Sequence, residues 1–115
     1  MATMVYEAVS NVKGAIALGY PFHPPGKPEK TRTEHLQTAS KPLLIIQGER
    51  DTFGTKSEVE SYKKGGVLSS MIECAYLEDG DHSFKPRKAS GKTQEEHIAK
   101  AATLTASFIE TNLNN

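Results

Sequence analysis

At 115 residues the chain is long enough for one domain, residues 1–115, that buries roughly two thirds of its unfolded surface. Fourteen basic and fourteen acidic side chains cancel, so no bulk field favours nucleic acid or an anionic membrane. Apolar runs such as "PLLII" are far too short to span a bilayer, and the N-terminus lacks the basic-then-apolar order of a secretory signal. A single cysteine, Cys74, excludes an internal disulfide framework and fits a reducing compartment, so a cytoplasmic chain is expected.

In chain order, Met4, Val5, Ala8 and Val9 share one helical face, which predicts a short helix over residues 2–9. "GAIALGY" (14–20) is an apolar run bounded by glycines, the pattern of a strand buried on both faces. "PFHPPGKPEKTR" follows, with four prolines in residues 21–28; proline fixes φ and lacks an N–H, so this segment is a loop. Residues 33–39 have room for one or two helical turns. "PLLIIQ" (42–47) reads as a second buried strand, opened by a proline where one is tolerated. Thr55 with Glu58 spells a capping box and predicts a helix over 56–64, ended by Gly65 and Gly66. "MIECAYL" (71–77) is the third strand. Thr93 with Glu96 caps a last helix reaching about Leu113, with Ile98, Ala101, Ala102, Thr105, Phe108 and Ile109 on one side.

Strands alternating with helices predict a three-layer α/β/α arrangement of three parallel, sequentially ordered strands joined by right-handed helical crossovers. Ligands of such sheets bind beyond the carboxyl ends of the strands. Asp51 lies four residues past Gln47, and His82 lies five past Leu77, so the two side chains should emerge together at that edge. A carboxylate beside an imidazole fixes its tautomer and stabilises the imidazolium formed when the ring takes a proton. The proton's source would be a nucleophile.

Each candidate has a plainer reading. Asp51 in "GERD" could be a turn former, and His82 a loop histidine. Asp79 and Asp81 fit turn formation better than catalysis. Asp79, Asp81 and His82 could hold a metal, yet no separated ligand set with zinc-like spacing supports one, so neither a metal nor a cofactor is expected. His23 could line a pocket mouth or be a solvated loop histidine; Tyr20 and Phe22 could wall the site or belong to the core. Cys74, in mid-strand, reads as inert packing. Lys85, Arg87 and Lys88 read as a solvated basic face.

"LLIIQGERDTFG" followed by "YLEDGDHSF" resembles the acid and histidine ends of the α/β-hydrolase fold. "LGYPFHPPGKPEKTRTEHL" with "DGDHSFKPRKASGKT" is similar to small predicted hydrolases related to dienelactone hydrolase, and the likeness runs over about residues 1–113. The resemblance implies that Asp51 and His82 are the catalytic acid and histidine, with Tyr20, Phe22 and His23 near a small ester or other carbonyl substrate. In such enzymes the nucleophile precedes the acid on a G-x-S-x-G elbow. Neither Ser10 in "AVSNV" nor Ser40 in "TASKP" has that context, so the chain resembles the C-terminal half of a hydrolase. Without its nucleophile the chain should be inactive alone. The resembled fold has a further strand beside "GAIALGY", so a homodimer paired through residues 14–19 is also expected. The alternative to a hydrolase remnant is a non-catalytic interaction module that uses this sheet edge.

Overall fold

The computed structural model describes residues 14–113; the helix expected over 2–9 lies outside them. Three strands, β1 (Ala15–Leu18), β2 (Leu43–Gly48) and β3 (Ile72–Leu77), form one sheet in the order β1-β2-β3, and both pairings are parallel. The register sets Leu18 opposite Ile46 and Gly48 opposite Leu77, so all three strands end at one edge. Sequential order, parallel pairing and the expected strand positions agree with the sequence.

All six residues of β2 are buried, because a strand paired on both sides needs cover on both faces. Their alternation divides the core. Leu43 and Ile45 pack with Phe22, Leu36, Val59 and Ile72 on one side; Leu44 and Ile46 pack with Leu77, Phe84, Ala101 and Phe108 on the other. Val59 belongs to helix α1 (Lys56–Lys64), and Ala101 and Phe108 to helix α2 (Gln94–Phe108), which completes the α/β/α layering. Both helices start at the predicted capping boxes, Thr55 with Glu58 and Thr93 with Glu96. A π-helical turn, Ile109–Leu113, continues α2 to the expected end.

The β1–β2 crossover carries one 3₁₀ turn, Glu34–Leu36, within the residues expected to make one or two helical turns; four nearby prolines leave little backbone free for more. Two details differ from the sequence reading. Strand β1 is half-buried rather than buried on both faces, and Leu18 is 60% exposed. Among the described residues it pairs with β2 alone. On α2 the buried line is His97, Ala101 and Phe108, whereas Ile98 is 55% exposed and Ile109 41%. The apolar stripe is wider than the sheet beneath it, and its outer half, with Leu18, flanks an open groove.

Candidate active site

Two loops leave the carboxyl edge of the sheet side by side. The loop after β2 carries Asp51, and the loop after β3 carries His82. Backbone bonds lace them together: the Glu49 N–H donates to the Leu77 carbonyl at 3.1 Å and the Arg50 N–H to the Gly80 carbonyl at 2.8 Å. The Glu49 carboxylate accepts from the Asp79 N–H at 3.0 Å. Gly48 permits this approach. A Cβ there would sit 2.2 Å from the Asp81 carbonyl oxygen and 2.4 Å from that of Gly80, distances no side chain tolerates.

The histidine loop is held from within. Asp81 Oδ1 accepts the N–H groups of Ser83 and Lys85, at 2.8 and 3.0 Å, and an isolated antiparallel bridge joins Gly80 to Pro86. Asp79 takes a positive φ of 58° and accepts from the Arg87 side chain and backbone. The Arg87 guanidinium holds the Asp79 carboxyl well below its usual range, to about 2. Phe84 has φ 68°, a conformation rare for an aromatic residue, and so marks local strain two residues from His82. Its carbonyl accepts from His97 Nδ1 at 2.8 Å, which fastens the strained turn to α2.

Between these loops Asp51 Oδ2 lies 2.8 Å from His82 Nδ1. Asp51 is fully buried, and its other oxygen accepts the Phe53 N–H at 2.9 Å. An ionised carboxylate only accepts, so the shared proton sits on Nδ1, which leaves Nε2 as the nitrogen that can take a proton from a substrate or nucleophile. Among the described residues nothing bonds Nε2, and the His82 side chain is 44% exposed. The ring rests against Phe53, with centroids 4.4 Å apart, and over Gly19 at the end of β1. A φ of +72° favours glycine at position 19, and a Cβ there would crowd the His82 ring at 3.1 and 3.2 Å. The result is an oriented base whose free nitrogen faces outward at the sheet edge.

The remaining candidates fall elsewhere. Tyr20, Phe22 and His23 are buried beside the acid loop rather than open to it. Tyr20 donates its hydroxyl to the Arg32 carbonyl at 2.8 Å, and Phe22 packs edge-on to Tyr20 and against Tyr62. His23 pairs with Glu58. Cys74 packs on the α1 side of the sheet, and burial pushes its thiol up to about 11, so it stays protonated. Among the described residues no cluster of three or more potential metal ligands occurs. Lys85 and Lys88 are exposed, and Arg87 is committed to Asp79.

Gln47, Gly48, Gly19 and Phe53 are the site residues that the sequence reading passed over. Gln47 is fully buried; it accepts from the Tyr20 N–H at 2.9 Å and donates to the carbonyls of Tyr20 and Gly54 at 3.1 and 3.0 Å. It staples the end of β1 to the acid loop. A lone amide closing an otherwise apolar strand was its signal.

A family model described as an alpha/beta hydrolase domain matches residues 1–110. No curated protein and no solved structure matches the chain.

Proposed function

The chain belongs to the alpha/beta hydrolase domain family, and from that premise we propose that Asp51 and His82 are the acid and base of a serine-hydrolase triad acting on a small ester or related carbonyl compound. The observation that carries this reading is the 2.8 Å contact between a fully buried carboxylate and a histidine whose other nitrogen is open. Nε2 takes the proton of an attacking hydroxyl. Asp51 stabilises the imidazolium that forms, and the ring then returns the proton to the leaving group. The kinship with dienelactone hydrolase belongs to the same proposal and rests on the "LGYPFHPPGKPEKTRTEHL" and "DGDHSFKPRKASGKT" motifs.

The nucleophile is the incomplete part. These 115 residues contain no G-x-S-x-G turn, and in this reading a hydroxyl from another segment completes the triad. The nucleophile and the oxyanion donors act with the base as a unit, so the chain by itself is inactive. p-Nitrophenyl acetate hydrolysis tests this: the chain and its His82→Ala variant should give the same rate. A faster unaltered chain would mean that the nucleophile is already present. A longer polypeptide bearing a G-x-S-x-G turn ahead of these residues should hydrolyse the ester and lose that activity with His82→Ala; unchanged turnover would overturn the assignment of His82.

A second reading is favoured by one observation. Strand β1 bonds β2 on one side only among the described residues, and Leu18 projects beside it into solvent. In this reading the chain is an interaction module whose edge, residues 14–19, pairs with the same edge of a second copy.

A further inference from the structure

Beside Asp51 and His82 lies a second carboxylate–histidine couple. His23, in the proline-rich loop after β1, is 3% exposed. Its Nδ1 lies 2.8 Å from the Pro24 carbonyl oxygen, and its Nε2 lies 3.0 Å from each oxygen of Glu58. A carbonyl and a carboxylate both accept, so both ring nitrogens carry protons and the buried ring is an imidazolium. In this it differs from His82, whose second nitrogen has no acceptor beside it among the described residues.

The couple grips the acid loop from two directions. The backbone N–H of His23 donates to the Phe53 carbonyl at 3.0 Å. Phe53 in turn donates its own N–H to Asp51 and stacks its ring on His82. Glu58, besides holding His23, accepts from Thr55 N–H at 3.0 Å and Thr55 hydroxyl at 3.2 Å, which fixes the first turn of α1 where the acid loop enters it. Phe22, the neighbour of His23, packs where Gly54 leaves room; a Cβ on Gly54 would lie 2.6 Å from its ring. One residue therefore separates the buried imidazolium from both members of the site pair.

We propose that His23, held charged by Glu58, is a positioning residue that fixes Phe53 and through it the Asp51–His82 hydrogen bond. A buried ion pair adds little net stability over an apolar replacement, but breaking it leaves an uncompensated charge, so the arrangement favours one loop geometry over its alternatives. The inference rests on reading Asp51 and His82 as an acid–base couple.

The test uses the 115-residue chain with nitrogen-15-labelled histidines, observed by nuclear magnetic resonance near neutral pH. His23 should show two protonated ring nitrogens, and His82 a slowly exchanging Nδ1 proton with a bare Nε2. Glu58→Gln keeps the α1 cap, since glutamine also serves in a capping box, but removes the counter-charge. It should neutralise His23 and cost His82 the protection of its Nδ1 proton while the chain stays folded. His23→Gln should have the same effect on His82 by an independent route. Thr55→Ala, which weakens the cap alone, should lower the melting temperature and leave the His82 signal in place. A neutral His23 in the unaltered chain overturns the proposal, as does a His82 signal indifferent to both Glu58→Gln and His23→Gln. A His82 that averages between tautomers in the unaltered chain would instead overturn the acid–base reading.

Discussion

Gln47 and Gly48 show how much of the site depends on side chains that do no chemistry. Gln47→Leu keeps the volume but removes the bonds that Gln47 makes to the Tyr20 N–H and the Gly54 carbonyl in the core, while the Tyr20 carbonyl keeps the Phe22 N–H. Each buried group that loses its bond costs about 1–3 kcal/mol, so chemical denaturation should find the variant less stable by about 2–6 kcal/mol. Gly48→Ala drives a methyl into the Asp81 carbonyl. Overpacking of this kind costs about 1–3 kcal/mol, and here it pushes apart the loops that join Asp51 to His82. The variant should melt earlier and lose the His82 Nδ1 proton signal; a folded variant with that signal intact would show that the loops need not cross there. Asp51 and His82 were legible in the sequence because strand ends and short loops leave few places for their side chains. Gln47 was not, because which polar groups need satisfying depends on what packs over the strand end.

Capping and charge act at the scale of the element. Thr55 and Thr93 each accept an N3 amide, and removing such a cap costs about 1 kcal/mol. Thr55→Ala and Thr93→Ala should therefore each lower the melting temperature, with faster amide exchange confined to the first turn of the helix concerned. The His23–Glu58 couple joins the proline loop to α1 and gives the fold a pH signature. Burial alone would lower the pKa of His23; bonds to the Pro24 carbonyl and Glu58 carboxylate overrule it, and the net shift is upward. That stabilisation is complete below about pH 6.5, the unfolded value, and is lost as pH rises through the raised one. For Glu58, burial would raise the pKa, but the Thr55 amide and His23 bring it down, so its contribution holds above about pH 4.5 and fades as pH falls through the lowered value. The melting-temperature gap between the chain and His23→Gln should thus be widest between about pH 4.5 and 6.5 and shrink at higher pH. A gap that stays constant as the pH is raised well above about 6.5 would mean that His23 is neutral throughout.

For the molecule as a whole, the open side is that of β1. Leu18 at 60% exposure, with Ile98 and Ile109 across the groove, presents apolar surface next to a strand that pairs on one side only among the described residues. Natural edges are blunted by charge or proline, and Ala15–Leu18 has neither. Light scattering should find a dimer that dissociates in a Leu18→Lys variant, which puts a charge on that edge. A monomer at high concentration would remove the interaction reading and leave the proposed triad untouched.

The layers are legible in the chain before it folds. Strand and helix positions follow from local apolar runs, prolines and two capping boxes, all of which act within a few residues, and the parallel order follows from the alternation. It also determined that Asp51 and His82 would meet, since consecutive parallel strands are neighbours with their carboxyl ends together. Which face of α2 is buried depends on packing. Ile98 carries the same apolar signal as Ala101 but lies beyond the described sheet, while His97 is buried because the Phe84 carbonyl waits for its Nδ1. Only the tertiary structure paired His23 with Glu58, 35 residues apart. A histidine among prolines looks solvated until the chain folds back, because a charge's partner is chosen by distance in space.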